Sequence, residues 1–233
     1  LASSCPLPGR FCYTQAINLP GGVSRYCYQL TVADGAGNTN GTDVRCFAVV
    51  PGRPRFVAAM GTLNDGVYVR WEAPDQYNVR GYNIYRRATP TGPATRLNAA
   101  PYTSVDLMYH DTTATSTAHY SVRTVDDGGN ESIDSDIVAA SPGASTGPTY
   151  IGCARPECRP ALLTSGLTTF TERGSPYIVE QGPLTIQPGA YLVIGPGAEV
   201  QMASSVQIRV QERLAILGRP GRRAVLRARP GTS

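Results

Sequence analysis

The chain has 233 residues and a formal net charge of +4, and its positive charge comes from arginine alone because the sequence contains no lysine. Its 25 glycines and 19 prolines, together with many Thr, Ser, Val and Tyr residues, favour short strands joined by turns. The arginines of the C-terminal third are spread along the chain, which argues against a nucleic-acid-binding protein. No segment reaches the roughly 18 consecutive apolar residues of a membrane-spanning helix.

Residues 26–33 and 42–49 are predicted to form the two arms of a β-hairpin around a turn at residues 34–38. In such a hairpin Cys27 and Cys46 lie opposite or nearly opposite each other, close enough for a disulfide bond. Closing this loop is expected to stabilise the fold by on the order of 3 kcal/mol.

The cysteines indicate the compartment in which the protein works. Disulfide bonds are predicted for all six of them, which are Cys5, Cys12, Cys27, Cys46, Cys153 and Cys158. A metal site is disfavoured because the sequence has no CxxC motif and both histidines are far from any cysteine. Disulfides form in oxidising surroundings, so we expect a secreted, extracellular or cell-surface protein, or one in a periplasm.

Two segments, 26–39 and 118–132, share a pattern in which an alternating strand runs into Asp, glycines and Asn. The shared spacing has a physical cause, because glycine allows positive φ and Asp and Asn cap the backbone of the turn. It predicts the penultimate hairpin of a repeated module. Residues 1–52 match only the second half of such a module. They are therefore either the C-terminal half of a module whose first strands lie upstream, or a small disulfide-stapled β domain.

Residues 53–142 form a complete module, with early strands predicted at 56–63, 66–71 and 79–86 and a final strand at 133–140. Its segments VRWEAPD, VRGYNIYRR and YSVRTVD resemble those of a bacterial fibronectin type III domain. The resemblance implies an immunoglobulin-like β-sandwich with three aromatic core residues, Trp71, Tyr82 and Tyr120. It includes no Arg-Gly-Asp loop, so integrin recognition is not implied.

Residues 143–176 are predicted to be a linker that Cys153 and Cys158 staple locally. From residue 177 onward, short alternating strands are separated by Pro-Gly turns, and this pattern returns after roughly twenty residues, as in a solenoid. The segment LTIQPGAYLVIGPG resembles the opening coils of secreted right-handed parallel β-helices. The resemblance implies that residues 177–233 begin such a helix, with inward side chains at Leu184, Ile186, Leu192, Ile194, Val200 and Met202.

The predicted fold class is all-β, with fibronectin type III-like sandwich modules followed by the first coils of a parallel β-helix. One or two coils do not bury the inner face of a solenoid. We therefore expect upstream strands and further coils in a longer protein, or another chain that completes the exposed coils.

The sequence presents no catalytic motif. His110 and Asp111 are neighbours, and His119 follows, but none of these belongs to a recognisable site. The serines considered as nucleophiles lie outside any Gly-x-Ser-x-Gly elbow, and they are Ser104, Ser121 and Ser132.

Two further patterns allow binding functions. An acidic cluster offers oxygen ligands for Ca²⁺, although its spacing matches no EF-hand loop and turn capping also explains it; its members are Asp126, Asp127, Asp134 and Asp136. Several tyrosines would stack on sugar rings if they were exposed on one sheet, although core positions are favoured for most of them; they are Tyr13, Tyr26, Tyr28, Tyr77, Tyr85 and Tyr102. No cofactor is predicted.

We therefore expect an extracellular or cell-surface scaffold or adhesion protein that is not itself an enzyme. Its expected partners are other protein chains or further domains of the same larger protein, and surface polysaccharide is a further possibility. Two alternatives remain open. The chain is an accessory part of a secreted polysaccharide-degrading β-helix enzyme, or it is a glycan-binding adhesin.

Overall fold

The computed structural model describes residues 25–48, 50–75 and 78–231. The described residues are all-β apart from one 3-10 turn at Glu172–Gly174. Among them, no helix is long and apolar enough to cross a membrane. The chain divides into two compact units, residues 1–49 and residues 50–233.

The first unit contains the predicted hairpin. Its strands are β1 (Arg25–Tyr28), β2 (Thr31–Ala33), β3 (Thr39–Gly41) and β4 (Arg45–Ala48). Strand β1 pairs antiparallel with β4, and β2 pairs antiparallel with β3. Cys27 is the direct partner of Cys46 in this ladder, and Cys27 is disulfide-bonded. Cys5 and Cys12 lie outside the described residues.

The turn chemistry of the repeated pattern is visible in both copies. The Asp34 carboxylate accepts the backbone N–H groups of Ala36 and Asn38, each at 2.9 Å. A hydrogen bond from the Asn38 side chain is the main cause that lowers the pKa of Asp34. In the second copy, Asp126 accepts the backbone N–H of Asn130 at 2.8 Å. These bonds hold both turns by the local capping that the spacing predicts.

The second unit begins with a sandwich of seven strands. They are β5 (Arg55–Gly61), β6 (Val67–Glu72), β7 (Val79–Arg87), β8 (Thr95–Arg96), β9 (Met108–Asp111), β10 (Ala118–Asp126) and β11 (Val138–Ala140). One sheet has the order β5-β6-β9 and the other β11-β10-β7-β8, with antiparallel neighbours throughout. This three-plus-four arrangement is a fibronectin type III-like sandwich.

The sandwich core is aromatic. Trp71 and Tyr120 are fully buried, and Tyr82 lies 5.2 Å from Trp71 between ring centroids. The Tyr120 hydroxyl donates to Asp111 at 2.9 Å, and Arg86 donates to the same carboxylate at 2.9 Å. Burial of such large side chains stabilises the fold by roughly 1.5–3 kcal/mol each.

A β-solenoid follows the sandwich. Its strands are β12 (Thr149–Ile151), β13 (Leu162–Leu163), β14 (Gly166–Phe170), β15 (Tyr177–Val179), β16 (Leu184–Ile186), β17 (Ala190–Ile194), β18 (Glu199–Met202), β19 (Ile208–Val210), β20 (Arg213–Ile216) and β21 (Val225–Ala228). They form three parallel sheets, β12-β15-β18-β21, β13-β16-β19 and β14-β17-β20, which amount to about three turns. The fold is all-β, as predicted.

The solenoid begins earlier than the sequence suggested. Residues 149–170, which fall in the predicted linker at 143–176, form the first coil and pair in register with the second. The short strands and the cysteine loop in this coil hide its periodicity. The remaining connection is itself anchored, because the Arg173 guanidinium donates to the carbonyl oxygen of Ser141 at 2.9 Å and to that of Ala144 at 3.1 Å.

The interior of the solenoid is apolar. The predicted inward residues lie in this core: five of them are fully buried, and Met202 is partly buried against them. Aromatic side chains fill the first two coils, where Phe170 stacks on Tyr177 with ring centroids 4.1 Å apart.

The Cys153–Cys158 disulfide is confirmed, and it shapes the start of the solenoid. The loop it closes returns the chain to the outer edge of β12. There the Arg159 N–H donates to the Tyr150 carbonyl at 2.8 Å, and the Gly152 N–H donates to the Arg159 carbonyl at 2.9 Å. This segment covers the strand edge that the second coil leaves free.

Candidate functional site

The sheet β5-β6-β9 is buried on both faces. In β5, Ala59 faces the sandwich core, whereas its neighbours Ala58 and Met60 lie on the opposite face and are also buried. Tyr68 of β6 and Met108 of β9 extend this second apolar face. The outer face of an antiparallel sheet is commonly polar and solvated, so its burial here means that another layer covers it.

That layer is the solenoid, and strand β17 lies at its centre. Leu192 and Ile194 point into the solenoid interior, while Tyr191 and Val193 point outward to the sandwich. Every residue of β17 is therefore buried. We call the shared apolar cluster the seam core, and its buried members are Ala58, Met60, Tyr68, Met108, Tyr191 and Val193.

The two surfaces approach closely at Met60 and Gly195. A methyl group added at Gly195 would lie 2.6 Å from Sδ of Met60 and 3.3 Å from the carbonyl oxygen of Phe170. Only glycine leaves room for the methionine in this conformation. The sandwich and the solenoid thus fit together at the level of single atoms.

Arginines from both sides reinforce the rim of the seam core. Arg70 donates to the hydroxyl oxygen of Tyr191 at 2.5 Å, and Arg213 donates to Glu72 at 2.6 Å. Burial raises the pKa of Tyr191 above its usual value. Partly exposed ion pairs contribute little individually, so the apolar seam core supplies most of the stabilisation.

A second set of polar contacts lies at the far end of the seam. Glu172 accepts the backbone N–H of Leu63 in the sandwich at 2.9 Å and pairs with Arg222 of the solenoid. Arg219 of the solenoid pairs with Asp106 of the sandwich. A carboxylate that accepts both a backbone N–H and a guanidinium fixes orientation more firmly than an isolated surface pair.

Most of the His, Asp and Ser side chains considered for chemistry from the sequence make contacts within the fold. His110 stacks on Tyr68, with ring centroids 4.0 Å apart, and its Nε2 lies 2.5 Å from the carbonyl oxygen of Asp65. Its neighbour Asp111 points into the sandwich instead. Among the serines, Ser121 hydrogen-bonds Arg87 and Asp134, Ser132 accepts the backbone N–H of Thr124, and Ser104 donates to Asp106. His119, on β10, is the ladder partner of Arg87 on β7.

The aspartates of the predicted acidic cluster have different structural roles in the fold. Asp126 caps its turn, Asp134 pairs with Arg87 and Arg123, and Asp136 pairs with Arg53 at 3.1 Å. Asp127 is exposed. In the part of the chain that the structure describes, no group of three His, Cys, Asp or Glu residues is placed to hold a metal ion.

Of the tyrosines considered for sugar stacking, the two described in the sandwich have hydroxyl groups that bond to other protein groups. Tyr85 donates to Glu131 and packs under Arg123, and Tyr102 donates to the carbonyl oxygen of Met108 at 2.8 Å. Tyr28 is half exposed in the first unit. Tyr13 and Tyr77 lie outside the described residues, as does the side chain of Tyr26.

A cleft of about 460 Å³ opens at one end of the seam. Phe56 and Tyr191 line it, with ring centroids 5.4 Å apart at an interplanar angle of 81°. The Arg213 guanidinium lies over the Phe56 ring, with Cζ 4.6 Å from its centroid. The sequence does not reveal this site, because the cleft brings together residues more than 130 positions apart, such as Phe56 and Tyr191. Its one local signal is the aromatic residue between Arg55 and Val57.

Known proteins similar to this chain are found among solved structures. Neither the models of known protein families nor the curated proteins include a match to this chain. Among solved structures, an Fn3-like protein from Clostridium thermocellum is 24% identical, with a TM-score of 0.35, over 40% of this chain and 95% of that protein. A structure described as a myokine is 16% identical, with a TM-score of 0.33, over 40% of this chain and 98% of its own.

A β-1,2-glucanase from Parabacteroides distasonis is 19% identical, with a TM-score of 0.33; the similarity covers 48% of this chain and 17% of the glucanase. The fold assignment therefore rests on the strand order and the two cores described above.

Proposed function

We propose that this chain is a rigid structural and interaction module of an extracellular or cell-surface assembly, in which the sandwich fixes the position of the solenoid. The observation that carries the proposal is the seam core, because it covers the outer sheet face of the sandwich with the outer face of β17. In modules joined only by a flexible tether, the outer faces of the sheets contact water and are therefore polar. A packed apolar face between two folds resists relative motion.

The connection between the two folds supports the same conclusion. Residues 141–148 are held by the side chain and carbonyl oxygen of Arg173, and the Gly143 N–H donates to the Thr62 carbonyl at 3.0 Å. A short connection with these contacts cannot act as a hinge without breaking them. The module thus behaves as a spacer with a fixed angle.

We also propose that this chain has no catalytic activity of its own. The side chains first considered for chemistry have structural roles: Asp111 is bound by Tyr120 and Arg86, and Ser121 by Arg87. Extracellular placement is supported by the disulfides at Cys27 and at Cys153–Cys158.

Backbone ¹⁵N relaxation of the full chain tests the rigid coupling. If the sandwich and the solenoid form one body, amides of β10 and β16 should report the same rotational correlation time. A Val193→Asp variant, which places a charge in the seam core, should give two different values. Equal values in both proteins, or different values in the native protein, would contradict the proposal.

A separate assay tests the absence of catalysis. Purified chain is incubated with plant, algal and bacterial polysaccharides, and reducing ends are measured over time. We expect no release above that of a heat-denatured control. Depolymerisation that follows the protein through purification would favour the accessory-enzyme alternative instead.

A further inference from the structure

The cleft at the end of the seam has a strained aromatic residue at its entrance. Phe56 adopts φ +48°, and the ladder between β5 and β6 shifts register at this point, between Arg55 and Ala58. A positive φ in a bulky residue other than glycine costs free energy, and bulges near binding sites commonly redirect a side chain. Here the redirected ring lines the cleft and is 37% exposed.

The opposite wall consists of strand starts from three successive coils. Gly166 and Leu167 begin β14, Ala190 and Tyr191 begin β17, and Arg213 begins β20. Neighbouring strands lie about 4.8 Å apart, so three of them make a wall about 10 Å long. The cleft volume falls within the 300–1,000 Å³ range of small-ligand sites.

The charges of the cleft are already paired. Arg53 binds Asp136 at 3.1 Å, and Arg213 binds Glu72 at 2.6 Å. Arg55 holds Asp75 with two bonds, at 2.9 and 3.0 Å. An anionic ligand would compete with these carboxylates, and a cationic ligand would compete with the arginines. A neutral ligand leaves the pairs intact and uses the N–H groups that each guanidinium has left.

The cleft combines this paired polar rim with an apolar floor. Phe56, Leu167, Tyr191 and Val138 supply apolar surface beside the five charged residues that line it. A purely apolar ligand would cover the polar rim without bonding to its remaining N–H groups, and a small polar ligand would not use the rings. A sugar ring fits both, because its C–H faces pack on aromatic rings and its hydroxyls bond to guanidinium and carboxylate groups.

We infer that this cleft binds a segment of a neutral oligosaccharide. The inference goes beyond the proposed scaffold function and is independent of it, because a rigid module with no ligand still satisfies that proposal. The exposed part of the Phe56 ring, which Arg213 does not cover, supplies the stacking surface. Arg53 and Arg213 with their carboxylate partners supply hydrogen bonds at the rim.

The test uses ¹⁵N-labelled full chain and the amide signals of Gly166 and Gly189. The neutral probes are cellohexaose, laminarihexaose, maltohexaose and mannohexaose, and the charged probes are hexagalacturonate and a chitosan hexamer. We expect at least one neutral hexasaccharide to shift both signals saturably at millimolar concentration, and neither charged probe to do so. Absence of a shift with all four neutral probes, or equal binding of a charged probe, would overturn the inference.

Three variants assign the binding to the cleft. Phe56→Gly removes the ring and tolerates the positive φ, and it should weaken binding about tenfold. Gly166→Asn tolerates the observed φ of +71° and adds a side chain to the cleft wall where no protein atom lies within 4 Å, so it should also weaken binding. Tyr150→Ala is the matched control, because Tyr150 of β12 is also covered by an arginine, with Cζ of Arg155 4.4 Å from its ring centroid, and it does not line the cleft. Binding that survives both cleft variants refutes the assignment.

Discussion

Replacing Met60 with alanine tests the seam core directly. Met60 belongs to the sandwich, is 2% exposed, and contacts the solenoid at Gly195. Truncation of a buried methionine to alanine costs about 3 kcal/mol, from lost burial and from the cavity that remains. Gly195→Ala also destabilises, but by adding volume. Its methyl group would lie 2.6 Å from Met60 Sδ, and overpacking of this kind costs about 1–2 kcal/mol.

The double variant measures the coupling between the two folds. The alanine methyl at position 195 should fill part of the cavity left at position 60, so the two losses should not add. We expect the double variant to be more stable than the sum predicts by about 1 kcal/mol or more. Part of the Gly195→Ala cost should remain, because the Phe170 carbonyl oxygen is 3.3 Å from the new methyl.

Urea unfolding of the full chain, followed by tryptophan fluorescence, provides the assay. Trp71 is the single tryptophan and lies in the sandwich core, so its signal reports on the sandwich. A shift of this transition by Gly195→Ala, a change in the solenoid, would show that the folds unfold together. Ile216→Ala, at a half-exposed site on β20, is the control and should change stability by less than about 0.5 kcal/mol. Additive losses, or a tryptophan transition unmoved by Gly195→Ala, would refute the reasoning.

Three further predictions concern charge and disulfides. Burial raises the pKa of Asp111, but hydrogen bonds from Thr113, Tyr120 and Arg86 lower it more, so its net pKa is below the usual value. Its contribution to the free energy of unfolding is therefore complete at neutral pH and is lost as the pH falls below about 4; Asp111→Asn should cost about 2 kcal/mol at pH 7 and less in acid. Cys153→Ser should lower stability by about 2 kcal/mol and speed hydrogen exchange at Gly152. Non-reducing peptide mapping should recover a Cys27–Cys46 linkage.

Each of these has a contradicting result. A pH-independent loss in Asp111→Asn would mean that its carboxylate is not the stabilising group. Unchanged exchange at Gly152 in Cys153→Ser would show that the loop holds without its disulfide. Recovery of Cys27 with any other cysteine would exclude the hairpin pairing.

The fold was predictable in strands where the apolar residues that face one core alternate along the sequence. Val67, Val69 and Trp71 alternate in β6 and are buried in the sandwich, and Leu192 and Ile194 alternate in β17 and are buried in the solenoid. These periods depend only on neighbouring residues, so a single sequence reveals them.

The seam was not predicted, although it leaves a trace. The segments 56–60 and 190–194 are continuous apolar runs, which indicate strands buried on both faces. Such runs do not say what covers the second face. The pairing of Met60 with Gly195, and of Arg213 with Glu72, joins positions more than 130 residues apart, and no local rule links them.

The Cys153–Cys158 loop makes the protection of one strand edge of the solenoid depend on redox conditions. By holding Arg159 against β12, it occupies the Tyr150 carbonyl and the Gly152 amide, which would otherwise offer a bare strand edge to other chains. In a reducing cytosol the bond does not persist, and the edge becomes a template for intermolecular pairing. In oxidising surroundings the cysteine pair keeps this strand edge covered, a role separate from the stability it adds.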